Sequence, residues 1–242
     1  MPASPQRCSV HNLSHPQLFT IAANHQIFHT FAPLIFSHLL LNFPNNLMRK
    51  IFLLPVLSLL FIPSLRAQNF NFDYRGQILY PYSCASIWGY VDDDETEYAL
   101  VGTYDGVSIV DVSDPDNPEV KFNVSHTASE WREIKTYGHY AYATNESGGG
   151  LLVIDLSDLP NSVQTYSFTY TDAQGFTQES GHTLYIDENG RLYIFGGSYS
   201  VGGATMFDLT SDPIHPPYLG KYENHYIHDG FVRGDTLWAS EI

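Results

Sequence analysis

Five residues in the second half of the chain carry groups from which a reactive site could be built: Glu133, His182, His225, His228 and Asp229. Imidazoles and carboxylates hold Zn or another transition metal when three meet at one centre, and paired they do general acid and base work. Catalytic candidates are therefore Glu133, His182, His228 and Asp229, and metal candidates are His182, His228 and Asp229. His225 and His228 stand three apart, so in a strand they face opposite sides and at most one of them joins such a centre. No cofactor is expected, and a divalent metal only if three of these ligands converge. The chain has no Gly-x-Ser-x-Gly elbow, no His-Glu-x-x-His, no Gly-Lys-Ser/Thr phosphate loop and no dinucleotide fingerprint.

What must position these residues is a repeat. The stretch from Gly106 to Pro118 recurs as Gly150 to Pro160 and, more loosely, as Gly203 to Pro213. Its aspartates Asp111, Asp155 and Asp208 lie 44 and 53 residues apart, the period of a four-stranded blade with one insertion. A catalytic group need occur once, whereas a structural group occurs in every unit. Each aspartate is thus expected to end a third strand and to accept backbone N–H groups of the following turn.

Strand and turn signals fill in the units, with no amphipathic helical run among them. The first unit reads as strands over 87–91, 98–102, 107–112 and 119–124. A second reads as 133–137, 140–145, 151–156 and 164–170, and a third as 182–187, 192–196, 204–209 and 218–222. A fourth begins with 228–233 and 236–240. The fold expected is an all-β propeller with about 3.5 four-stranded blades present, over 84–125, 131–170, 181–222 and 225–242. Since 3.5 blades cannot close, the chain is expected to be truncated, an open arc, or to gain blades from a partner. Aligning the units puts Trp88, Arg132, Glu133, His182, His228 and Asp229 at the blade entries, converging on the axis.

Charge divides the chain in two. All 26 acidic residues lie at or after Asp73, and residues 68–242 carry seven basic side chains, a net charge of −19. Such a surface repels nucleic-acid phosphates and anionic headgroups, which argues against both as partners. Met48-Arg49-Lys50, the apolar run Ile51–Ile62 and Leu65-Arg66-Ala67 together read as a signal peptide over 48–67. Its apolar run is too short to span, so no transmembrane segment is expected in the mature chain. Residues 1–47 lie upstream, hold five of the eleven histidines without ligand spacing, and read as a disordered extension from a misassigned start. Removing them removes Cys8, so Cys84 is expected to be a small buried thiol.

Several local patterns have simpler readings than the functional ones they invite. Asp92-Asp93-Asp94-Glu95 lacks the alternating ligands of a calcium loop and reads as a solvated turn. Gly148-Gly149-Gly150 and Gly202-Gly203 lead into strands, with no helix N-terminus to hold a phosphate. Arg233-Gly234-Asp235 falls where the fourth unit needs a hairpin.

Cys84-Ala85-Ser86-Ile87-Trp88-Gly89-Tyr90, Glu97 to Gly102, Trp131 to Tyr137 and His228 to Val232 resemble the choice-of-anchor B family. That family consists of exported bacterial proteins built from repeats with a Leu-Val-Ile-Val-Asp core. Here the core is matched by Val107-Ser108-Ile109-Val110-Asp111 and Leu151-Leu152-Val153-Ile154-Asp155. The resemblance covers roughly residues 72–242 and implies a β-propeller on the cell surface or outside the cell. Family members mostly continue into a C-terminal anchoring segment, and its lack here fits truncation. The resemblance carries no catalytic residues. The expected function is a non-catalytic binding module whose loops take a protein or glycan partner; the alternative is a hydrolase-type enzyme with a metal or acid/base site at the channel mouth.

Overall fold

In a computed structural model that describes Arg7–Asn12 and residues 73–242, the repeat becomes three four-stranded antiparallel sheets. The strands are β1 (Arg7–Asn12), β2 (Asp73–Leu79), β3 (Cys84–Val91), β4 (Glu97–Thr103), β5 (Gly106–Asp111) and β6 (Glu119–Ser125). Then follow β7 (Ile134–Tyr137), β8 (Tyr140–Ala143), β9 (Leu151–Asp155), β10 (Gln164–Phe168), β11 (Tyr170–Thr171) and β12 (Thr177–Gln178). The last are β13 (Thr183–Ile186), β14 (Arg191–Phe195), β15 (Ala204–Asp208), β16 (Tyr218–Tyr222), β17 (Ile227–Arg233) and β18 (Thr236–Glu241). The four-stranded sheets run β3-β4-β5-β6, β7-β8-β9-β10 and β13-β14-β15-β16, each in sequence order. β17–β18, β11–β12 and β1–β2 are two-stranded. Among the described residues there is no helix, and none long and apolar enough to cross a membrane. The architecture is all-β and consistent with a propeller-like fold. The expected leader over 48–67 lies outside the described residues, as does the extension 1–47 apart from β1.

The middle strands are apolar along their whole length because both of their faces are covered. On β4, Tyr98 and Leu100 pack with Ile109 of β5 against Ile134, Ala141, Leu152 and Ile154 of the second sheet. Their neighbours Ala99 and Val101 point the other way, to Val110, to Ile78 of β2 and to Tyr80 just beyond it. A second core joins Tyr142, Val153 and Phe168 to Leu184, Ile194 and Phe207, and a third joins Phe195 and Tyr193 to Ile227 and Val232. Successive sheets thus stack face to face, and alternation is lost from the sequence where burial is two-sided.

The first strands hold neighbouring sheets together: β3 touches β7, β7 touches β13, and β13 touches β17. Polar pins reinforce the stack, with the Trp88 indole N–H donating to Thr136 Oγ1 at 2.9 Å and Tyr142 Oη donating to Pro213 O at 2.9 Å.

Each repeated aspartate does what its periodicity implied. Asp111 Oδ1 accepts Ser113 N at 3.0 Å, Asp155 Oδ1 accepts Ser157 N at 3.0 Å, and Asp208 Oδ1 accepts Thr210 N at 2.9 Å. The glycines opening the same stretches let the third strand approach the end of the fourth. A Cβ on Gly106 would lie 1.9 Å from Val124 O, one on Gly150 2.6 Å from Phe168 O, and one on Gly203 1.9 Å from Tyr222 O.

Two features depart from expectation. The insertion behind the longer spacing is the β11–β12 hairpin, which Asp172 caps by accepting Gln174 N at 2.9 Å and Phe176 N at 3.0 Å, and whose tip exposes Phe176. Cys84 is half-buried and disulfide-bonded, which overturns the expectation of a lone buried thiol; that expectation rested on discarding Cys8 with the extension 1–47.

Candidate functional site

The non-repeating polar residues gather where the first strands begin. Three connections build this end of the sheets: 126–133 between β6 and β7, 144–150 between β8 and β9, and 179–182 before β13. They are tied to one another by backbone bonds, Gly150 N to Glu179 O at 2.8 Å, Gly181 N to Asn145 O at 3.0 Å and Thr144 N to Glu133 O at 2.9 Å. Thr144 is a hub: its Oγ1 accepts Glu133 N at 2.9 Å and donates to His182 O at 3.1 Å.

His182 and His228, two of the predicted residues, meet ring to ring, whereas the Glu133 side chain belongs to a separate group. Glu133 pairs with Lys135, whose Nζ sits 4.4 Å from the centre of the Trp88 ring. His182 Nδ1 pairs with the Glu146 carboxylate, its ring lies 4.2 Å from that of His228, and Trp131 stands edge-on to it at 6.2 Å. Asp229 does not join: its Oδ1 accepts the next backbone N–H, from Gly230, at 2.8 Å. Among the described residues no group of three or more His, Cys, Asp or Glu side chains is arranged to hold a metal ion.

Sequence reasoning missed Glu146 and Trp131. Glu146 follows Asn145 in the loop between β8 and β9 and has no counterpart at that position in the other units, so alignment on the aspartates gives no reason to single it out. Trp131 was passed over for its neighbour Arg132, which was expected to face the axis.

Arg132 instead turns inward and is 2% exposed. Its Nε donates to Thr103 O at 3.3 Å, Nη1 to Thr144 O at 3.3 Å and Nη2 to Thr127 O at 2.8 Å, spanning the first and second sheets. Among the described residues no carboxylate pairs with it. Burial pulls its pKa down to about 10, which leaves it charged at neutral pH. A planar fork of donors suits such a cage of carbonyls, which a single ammonium could not serve.

Beside it, His126 Nδ1 lies 3.4 Å from Arg132 Nη1 and 3.2 Å from Asn145 Nδ2. Both neighbours are donors, and Asn145 Oδ1 is fixed as an acceptor by Ser147 N at 2.6 Å. The imidazole must therefore present a lone pair at Nδ1 and carry its proton on Nε2, which faces Ser167 Oγ at 3.5 Å. Burial, and then the Arg132 cation, hold His126 below the ordinary histidine range. As pH falls below about 6.5 the unfolded chain takes up this proton first, so stability is full above that pH and is lost progressively beneath it. Urea midpoints measured from pH 7.5 to pH 5 should fall more steeply for the native chain than for His126→Gln, which keeps an acceptor and cannot titrate. Equal slopes would exclude His126 as the source.

The consequence for the surface is that the backbone of Trp131 is anchored on both sides while its side chain is 57% exposed. Buried Ser129 donates through Oγ to Trp131 O at 2.8 Å on one side, and Arg132 anchors the other.

Elsewhere, a cavity of about 390 Å³ lies between Leu79–Tyr82 and the outer strands of the first sheet, with Asp105 and Asn123 in its wall. None of the predicted site residues lines it. No curated protein matches the chain. The LVIVD repeat model matches residues 96–126 and 130–171, which carry β4 to β6 and the second sheet, and this supports the repeat-family part of the resemblance seen in the sequence.

Proposed function

We propose that the chain is an exported or cell-surface β-propeller of the choice-of-anchor B type, working as a non-catalytic binding module for a protein or glycan. The observation that carries this reading is the exposed Trp131, anchored through its backbone, at the edge of the His182–Glu146–His228 group. An exposed aromatic whose backbone is locked gives contact area at little entropic loss on binding. The acidic balance of residues 68–242 accords with a soluble exported protein.

One observation favours an enzyme as a second reading. A carboxylate bonded to one ring nitrogen of a histidine is how a general base is oriented, and Glu146 does this to His182. Among the interactions of His182 there is no serine, threonine or cysteine side chain placed as a nucleophile, which leaves only water activation. Chromogenic ester, phosphate and glycoside substrates offered to the native chain and to His182→Ala separate the two readings. The binding reading expects the same background rate from both, and turnover that disappears with His182 would replace it by the enzyme. Protease shaving of intact cells expressing the full chain should remove the protein; full protection behind the membrane would sink the surface location.

A further inference from the structure

We infer that Asp229 is a modification site, at which the folded chain converts aspartate to isoaspartate by attack of the Gly230 nitrogen on the Asp229 side-chain carboxyl. That side chain is exposed, and its Oδ1 lies 2.8 Å from the same nitrogen, accepting its N–H. Nucleophile and electrophile already sit side by side.

The Gly230 N–H is available for this because the strand ladder does not use it. In the β17–β18 hairpin the pair Arg233↔Thr236 closes a two-residue turn, and bonded and non-bonded pairs alternate from there, so Gly230↔Ala239 falls at a pair without ladder bonds. Glycine puts no side chain in the way of ring closure. The register shift between Ile227 and Asp229 bends the strand just before it.

The chemistry needs only water. Gly230 N bonds to Asp229 Cγ, the carboxyl hydroxyl departs with the N–H proton as water, and a succinimide ring results. Water then adds at the Asp229 main-chain carbonyl and its bond to Gly230 N breaks, which leaves the main chain running through the former side-chain carboxyl. The water lost is the water regained, so no oxidant or co-reactant is required.

Sequence alone ranks the sites differently. Asn189–Gly190 is the pair that cyclises fastest in an unstructured chain, because a carboxamide is attacked more readily than a carboxylate. In the fold Gly190 N donates to Asp187 O at 3.1 Å, and Asn189 N and Arg191 N both donate to Asp187 Oδ1 at 2.9 Å. Asp187 is buried and holds that turn from three sides. At Asp105–Gly106, the third such pair, Gly106 closes the β4–β5 hairpin opposite Thr103 with its backbone wedged against Val124 O.

The product alters the histidine pair. An isoaspartyl link places an extra methylene in β17 next to His228, whose O accepts Thr183 Oγ1 at 3.0 Å and whose ring lies 4.2 Å from that of His182. Ageing at Asp229 therefore shifts one ring against the other.

The full chain is held at neutral pH for several weeks, folded and in parallel unfolded in urea, then digested and fragmented in a mass spectrometer by electron transfer, which tells a main chain running through Cβ from one running through the carbonyl carbon. In the folded sample isoaspartate at Asp229 should exceed conversion of Asn189 and of Asp105 severalfold; in urea Asn189 should lead. Asp229→Glu, which would have to close a larger ring, should yield no such product at that position while Asn189 behaves as in the native chain. The same order of sites in folded and unfolded samples, whichever residue leads, or no isoaspartate at Asp229 in the folded chain, overturns the assignment.

Discussion

Arg132→Ala is expected to lower the free energy of unfolding by about 3–5 kcal/mol, read as a drop in urea midpoint at unchanged slope. The side chain is large and fully enclosed, so truncation leaves a void in the joint between the first two sheets. It also leaves carbonyls without donors. Thr127 O keeps Asn145 Nδ2, but Thr103 O and Thr144 O lose the guanidinium bond, at about 1–3 kcal/mol for each buried group left unpaired. Arg132→Lys should recover less than half of the loss, because one ammonium cannot reach acceptors arranged around a fork. If Arg132→Ala costs under about 1 kcal/mol, the residue does not join the sheets. A loss of that expected size would also free Trp131, so its emission should move toward that of a solvated indole before global unfolding begins.

Gly106→Ala should cost about 3–4 kcal/mol, an unusual amount for a single methyl group. Its φ of +151° suits glycine, and the added carbon would sit 1.9 Å from Val124 O and 3.0 Å from His126 N. Those are backbone atoms, so relief requires β5 to part from β6 where Gly106 pairs with Ser125. Gly138→Ala separates the clash from the backbone effect. Gly138 also has positive φ, +55°, yet its Cβ would meet nothing within 4 Å, so only the left-handed backbone penalty of about 1–2 kcal/mol applies. Equal losses at the two positions would show that steric approach at Gly106 is not what fixes the repeat.

The strands were legible because the units repeat. Ala204 to Asp208 shows only a loose version of the pattern, but Asp111 and Asp155 supply the period that places it, and the predicted edges lie within a few residues of the observed ones. β2 was not legible, since Asp73–Leu79 has no counterpart in the other units and its role is set by the far face of β4 and β5. The site was half legible. Glu133, His182 and His228 stand out in the sequence because they differ from unit to unit at an aligned position, and of these the structure brings His182 and His228 together. Glu146 could not, because a loop glutamate acquires meaning only from the histidine that folding brings to it, 36 residues away in sequence. Arg132 was misassigned for a related reason: a charged residue at a strand entry reads as solvent-facing, and the carbonyl cage that buries it comes from the end of β4 and two separate connections.

The β11–β12 hairpin shows how this chain absorbs extra length. The longer interval between the second and third aspartates is taken up between sheets, where Asp172 closes the loop locally and Tyr199 holds it at 2.6 Å, while the pairing of β13 to β16 keeps its order. Its tip, Gln174 to Phe176, is consequently a natural port for a peptide tag or a fluorophore-accepting sequence, at which the chain can be lengthened with the sheets intact.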